Sequence, residues 1–362
     1  MKKLRVGILT MHRVHNSGSF LQAYALQNTL ESKGCDCVII DYMYPNAFHR
    51  LEIYDAPVSW QGIRNQLFHY LFHRRWKLLY RKWYELRWLI LIHQKFKLSE
   101  KTYYTVDELT KAYPDYDVYV LGSDQVWNER FMKNDPSFFL AFAPEGKKCV
   151  TFASSAPNPK LSADFKMKAE TYLPRYEVLS TREKSSAVYL QAILNRKVYD
   201  ILDPVYLLSK EEWQREVGIK QKKSNYVFIY AMNYMGDCLK KVMAYVDMFA
   251  QQSEEIVAYR DGGSLPRCKT IEELMPKDFV QYIANAKCVV TDSYHAIAFS
   301  LLFDVPVIPI VADREHDVRI VDLCKRIGEK AEDGSVHCAY PKLEKEKIIQ
   351  TTILNKIVNG KS

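Results

Sequence analysis

The sequence predicts an α/β protein of two doubly wound halves that face each other across a cleft, the first half carrying a helical insertion. Short apolar runs, of the kind buried on both faces of a parallel sheet, alternate with helical patterns in two separate series. Several of those runs end in small or polar residues at the carboxyl end, the edge where open α/β sheets bind ligands. A length of 362 residues suits two domains of ordinary size, and 48% hydrophobic with 26% charged residues is the balance of a soluble globular chain.

The first run, LRVGILTMH (4–12), reads as a strand. The polar turn RVHNSGS leads into a helix, FLQAYALQNTLESKG, with Leu21, Ala25, Leu26, Thr29 and Leu30 at helical spacing and Gly34 placed to stop it. CDCVIIDY is the second strand and completes a βαβ unit. Further strands are read in 116–127, 149–156 and 177–183, with helices near 162–173 and 185–196. These strands end in Gly122-Ser123-Asp124, Ser154-Ser155 and Ser180-Thr181-Arg182-Glu183. The polar stretch GIKQKKSN (218–225) separates the halves. The second series runs through NYVFIYAM, a helix at 236–250, EEIVAYRDGG, the helix PKDFVQYIANA opened by Pro276, then CVVTDS with its helix, PVIPIV and DVRIVDLCKRIG. The expected domains are therefore 1–217, with the insertion at about 60–98, and 226–340. A last segment, 341–362, is read as a helix crossing back to the first half.

The eight cysteines, at 35, 37, 149, 238, 268, 288, 324 and 338, form no CxxC pair. Reduced thiols in a cytosolic protein are the simplest reading, and neither a metal nor a cofactor is expected. Cys35 and Cys37 sit two apart on a strand and so fill one core face. Met1-Lys2-Lys3 leads directly into strand, so no secretory leader is expected, and no apolar run approaches the roughly 18 residues that span a bilayer. The net charge of +8 is local: Trp60 to Leu98 holds nine Lys or Arg, the single acid Glu85 and four of the six tryptophans. No nucleic-acid partner is expected. Within 63–98, Phe68, Phe72, Trp76, Leu79, Trp83, Leu86 and Ile90 step by three or four residues and make one apolar seam. The favoured reading packs that seam on the domain. The other lays it on an anionic membrane as a peripheral contact.

The strand ends carry the candidate chemistry. HNSGS resembles a loose phosphate loop: Gly18 lets backbone approach an anion and a helix amino terminus follows. It is neither GxGxxG nor a Walker sequence, so NAD binding is unsupported. In LGSDQVW, Asp124 is a general base or the cap of the next turn, and Trp127 a core residue or a sugar platform. Arg182 in STREKS offers a fork for carboxylate or phosphate, or an ion pair to a nearby acid. In VVTDSYHAIAF, His295 can move protons near neutral pH at the first turn of a helix, Asp292 is placed in sequence to orient it, and Ser293 can donate to an oxyanion. Burying an unpaired imidazole or carboxylate costs free energy, so such a cluster has a task or a partner.

With these motifs read, the chain resembles the polysaccharide pyruvyl transferase family. HNSGSFLQAYALQ, LGSDQVWN, TFASSAP, LSTREKS, ILDPVYLL with EEW, FVQYIANAKCVVTDSYHAIAFSLLFDVPV and DREHDVRIVDL carry the resemblance in order and spacing, from Val6 to about Leu323. It implies a GT-B-like pair of Rossmann-type domains in a cytoplasmic enzyme of surface-polysaccharide assembly. Such an enzyme transfers the pyruvyl group of phosphoenolpyruvate to two hydroxyls of one sugar, giving a cyclic ketal and phosphate. The acceptor is a sugar on a growing or lipid-linked glycan. By this resemblance His295 is the general acid and phosphate contact, Arg182 clamps phosphate or carboxylate, and Asp124 is the base or acceptor binder. Asn16, Gly18 and Ser293 line the donor pocket, with Ser123, Asp292 and Trp127 as further substrate contacts.

Two positions depart from the family pattern. Some branches carry arginine where Ser293 stands, which leaves Arg314, Arg319 or the helix amino terminus to replace that cation. Many members carry glycine where this chain has Ala296. Two rival readings remain at this level: a GT-B glycosyltransferase that uses a nucleotide sugar, and a non-catalytic glycan-binding relative with an eroded site. Retention of both His295 and Arg182 speaks against erosion.

Overall fold

The computed structural model describes residues 3–43, 75–112, 115–157, 161–219, 224–232, 236–252, 254–260, 265, 267–311, 318–331 and 335–359. Arg314 and insertion residues 60–74 lie outside them.

In the first half, β1 (Arg5–Leu9), β2 (Asp36–Ile39), β3 (Val118–Leu121) and β4 (Lys148–Thr151) form a parallel sheet in the order β2-β1-β3-β4. Their Val, Ile and Leu runs are buried on both faces, because helices flank the sheet. The run 177–183 shortens to β5 (Ser180–Thr181), which pairs in parallel with β6 (Tyr199–Asp200) and reaches β4 through single bridges. The helices are α1 (Ser17–Ser32), α2 (Arg75–Lys95), α3 (Val106–Lys111), α4 (Glu129–Met132), α5 (Ala163–Tyr172), α6 (Lys184–Leu194) and α7 (Lys210–Glu216). A capping box at Ser209 and Glu212 starts α7. Cys35 and Cys37 are both buried in one core cluster.

The second half is a seven-stranded sheet. In chain order its strands are β7 (Tyr226–Tyr230), β8 (Glu255–Tyr259), β9 (Lys269–Ile271), β10 (Cys288–Thr291), β11 (Val307–Pro309), β12 (Gly328–Lys330) and β13 (Val336–Cys338). The spatial order is β12-β13-β11-β10-β7-β8-β9, parallel except at the β12–β13 and β11–β13 pairs. Strands β9 and β12 at the two edges, and β13 inside β12, are three-residue elements too short to leave a periodic signal in the sequence. The helices are α8 (Gly236–Gln251), α9 (Pro276–Asn285), α10 (Tyr294–Phe303), α11 (Val318–Ile327) and α12 (Tyr340–Asn359). Helix α10 is buried along its whole length, in keeping with a sequence apolar all round. Helix α12 lies against the first half: Gln350 Nε2 donates to the carbonyls of Leu202 and Asp203, 2.9 Å each.

The insertion helix departs from the favoured reading. Phe68, Phe72 and the side chains of Trp76 and Leu79 lie outside the described residues. Of the rest of the seam, Trp83 is 50% exposed, and Leu86 and Ile90 nearly as much. A second set, Tyr84, Trp88, Ile92 and Phe96, four residues apart, faces the core instead. Two apolar stripes share one helix, and aromatic neighbours select the inner one. Trp88 stacks on His15 at 5.5 Å between ring centroids and meets Phe20 edge-on, while Phe20 packs on Phe96.

Candidate active site

Strand order reverses between β1 and β3 in the first sheet and between β7 and β10 in the second. At such reversals the connections leave on opposite faces and open a crevice beyond the carboxyl ends of the strands. The segments following β1, β3 and β10 are Asn16 to Ser19, Gly122 to Asp124, and Asp292 to His295. The first turns of α1 and α10 therefore meet across the two halves.

Their contact is close. A Cβ built on Gly18 would lie 2.2 Å from Nδ1 of His295, so the imidazole occupies the space that only glycine leaves open. Asn16 caps α1 by accepting from the Ser19 amide (3.1 Å), and Ser293 caps α10 by accepting from the Ala296 amide (3.5 Å). Next to Gly18, the Ser19 hydroxyl donates to Asp124, whose other oxygen accepts from the Gln125 amide (2.8 Å). Asp124 holds a left-handed backbone (φ 71°), which aspartate tolerates better than most residues and which turns its carboxylate back toward α1.

Behind His295 lies a buried charge cluster. Asp203 precedes the 3-10 turn Pro204–Leu207 and caps it through the Val205 amide (3.1 Å). Its Oδ2 accepts from Arg182 Nη1 (2.9 Å), lies 3.0 Å from the Ser123 hydroxyl, and stands 3.5 Å from His295 Nε2. Arg182 also donates through Nε to Glu183 (3.3 Å) and through Nη2 to Ser155 (3.1 Å), with its guanidinium 4.2 Å from the centre of the Tyr294 ring. Burial alone would raise the Asp203 pKa; His295, Arg182 and the Val205 amide outweigh it and hold the carboxyl well below the usual range. Burial likewise opposes charge on Arg182, and Glu183 and Asp203 overcome it.

Most of the expected residues thus converge: Asn16, Gly18, Ser123, Asp124, Arg182, Ser293 and His295 surround the junction of α1 and α10. Others do not. Asp292 turns away from His295, because β10 lies beside β7. Its carboxylate accepts from the Met232 amide (2.6 Å) and sits 3.8 Å from the Cys238 sulfur. The carboxylate beside His295 is that of Asp203, 3.5 Å from Nε2. Trp127 is 2% exposed, donates its indole N–H to the Phe138 carbonyl (2.9 Å) and stacks on Phe139, so it offers no face to a sugar. Arg314 lies outside the described residues. The Arg182 side chain is 1% exposed, and the ion-pair use weighed beside the clamp is the one displayed. Asp203 and Glu183 were missed as site residues, although ILDPVYLL and STREKS carry them. The signal available was that a buried arginine needs buried carboxylates. Among the described residues no group of His, Cys, Asp or Glu is placed to hold a metal ion, and no helix is long and apolar enough to cross a membrane.

Two facing Rossmann-type lobes with helix amino termini meeting at their junction define a GT-B protein. Solved structures of this kind match along nearly the full chain. The UDP-GlcNAc 2-epimerase of Neisseria meningitidis bound to UDP-GlcNAc aligns with a TM-score of 0.52 and 10% identity over 97% of this chain and 99% of its own. The enzyme of Methanocaldococcus jannaschii gives 0.50 and 12% over 97% and 100%. A UDP-N-acetylglucosamine 2-epimerase of Listeria monocytogenes gives 0.50 and 13% over 86% and 80%. At such identities the likeness speaks for the fold alone. No curated protein matches the chain. The profile of the polysaccharide pyruvyl transferase family matches residues 16–314, and the chain belongs to that family.

Proposed function

We propose that the protein transfers the pyruvyl group of phosphoenolpyruvate to two hydroxyls of a sugar in a surface glycan, forming a cyclic ketal and releasing phosphate. The supporting observation is the meeting of two helix amino termini with an imidazole between them. Helix amino termini carry partial positive charge and free N–H groups, which suits a small dianion and leaves His295 beside it.

His295 protonates the methylene carbon of the donor, which places cationic character on the central carbon. One sugar hydroxyl adds there; phosphate departs and the second hydroxyl closes the ring. Of the two hydroxyl protons, one replaces that given by the acid and the other leaves on phosphate. Asp124, which accepts from the Ser19 hydroxyl, receives the first in this reading. The family membership supports this chemistry over transfer of a glycosyl group from a nucleotide sugar.

Calorimetric titration separates the two. Phosphoenolpyruvate is expected to bind the wild-type chain and to lose at least tenfold in affinity or turnover with His295→Ala, whereas UDP-GlcNAc gives no heat. Saturable binding of the nucleotide sugar, with none of phosphoenolpyruvate, would replace this reading by the glycosyltransferase one.

A further inference from the structure

The contact between Asp203 and His295 joins the two halves, and the transfer chemistry above gives it no task. Asp203 is wholly buried, although no sugar or donor needs a carboxylate there. Its Oδ1 serves the Val205 amide, while Oδ2 faces Arg182, Ser123 and His295 together. His295 is 8% exposed, and its Nε2 has no hydrogen-bond partner among the described residues; Oδ2 of Asp203 stands 3.5 Å from that nitrogen. The opposite ring nitrogen, Nδ1, is against Gly18 at the start of α1.

We infer that Asp203 is the positioning residue of the transfer, holding His295 through Nε2 so that Nδ1 is presented to the donor, while Arg182 and Ser123 fix Asp203. This rests on the transfer reading for its chemistry and on the geometry for its placement. Arg182 brings one cation to the cluster beside His295, and Glu183 and Asp203 bring two anions. The His295 imidazolium gives its Nδ1 proton to the methylene carbon, whose π electrons form the new C–H bond. It is left as the Nε2–H form facing Asp203 and is recharged by the sugar-hydroxyl proton that Asp124 passes on. Shortening of the 3.5 Å contact to hydrogen-bond distance is not needed before the donor arrives, since catalytic contacts tighten on binding. Arg182 acts through Asp203 and not on the donor, which accounts for a guanidinium with its forks turned inward.

The test uses the full chain with ¹⁵N-labelled histidine, the His295 signals being assigned by their loss in His295→Gln. In the neutral ring, wild type is expected to hold the Nε2–H form, and Asp203→Asn to shift toward a mixture of both tautomers. Phosphate release by Asp203→Asn should fall on the order of 10²-fold in kcat, with KM for phosphoenolpyruvate within about threefold. A residue that merely supports the fold would not move the ring signals at constant far-ultraviolet dichroism. Unmoved ring signals, or a kcat within about threefold of wild type, overturn the inference. Should Asp203→Asn not fold, Ser123→Ala, which removes one contact to Oδ2, must still shift the tautomer balance. If wild type releases no phosphate yet the ring signals respond to Asp203→Asn, the transfer reading falls and the placement of His295 by Asp203 stands.

Discussion

Gly18 shows how much one residue decides. An added Cβ would stand 2.2 Å from Nδ1 and 2.3 Å from Cγ of His295, well inside any tolerated contact. The helix itself suffers little, because alanine favours a first turn at least as well as glycine. Gly18→Ala is therefore expected to fold normally and to lose about 10²-fold in turnover, the usual cost of displacing a catalytic group by an ångström. Adding His295→Ala to Gly18→Ala should cause little further loss, because both act on one imidazole; fully multiplicative losses would show that Gly18 works elsewhere. The same contact explains what the sequence made legible at this scale. A glycine before a helix and a histidine opening another are visible as separate signals, but their contact spans the two halves. Asp292 looked like the partner of His295 because it is near in sequence, whereas the strand order turns it toward Met232 and leaves the place to Asp203.

Among the elements, those fixed by local pattern were read well and those fixed by choice between patterns were not. LRVGIL, VYVL and CVVT are continuous apolar runs that make sense only as buried parallel strands, and they form β1, β3 and β10. Helix α2 instead carries two apolar stripes, and periodicity cannot say which one faces inward. Tertiary contacts from His15 and Phe20 settle it in favour of Trp88. Truncation measures the difference. Trp88→Ala removes a fully buried ring and is expected to lower unfolding stability by about 3–5 kcal/mol. Trp83→Ala, on a half-exposed side chain under the Arg87 guanidinium, should cost within about 1 kcal/mol. Urea midpoints of the two variants, at unchanged slope, decide it; equal losses would mean that the outer stripe is also packed.

Over the whole molecule, the core is divided by sheet face more than by domain. One cluster joins Val6, Ile8, Phe20 and Trp88 of the first half to Phe228, Phe279, Ile283 and Phe299 of the second, and to Leu343, Ile353 and Leu354 of α12. Two smaller clusters, around Trp127 and around Val246, back the outer faces of the two sheets. Polar contacts follow the same seam: Tyr206 donates to the Ala298 carbonyl (3.2 Å), and Arg326 of α11 donates to the carbonyls of Arg182 (3.2 Å) and Asp200 (3.3 Å). The second of these anchors the backbone of the charge cluster behind His295, so lobe contact and site geometry share residues. Chains with two domains often unfold in steps, because the interface between domains is small and polar. Here the shared apolar cluster makes the opposite outcome expected: one calorimetric transition, with calorimetric and van't Hoff enthalpies in agreement. Phosphoenolpyruvate should move that single transition upward as a whole, since a ligand held between the halves stabilises only the state in which both are folded. Two resolved transitions, only one of them raised by phosphoenolpyruvate, would place the donor within one half and contradict the junction of α1 with α10 as its site.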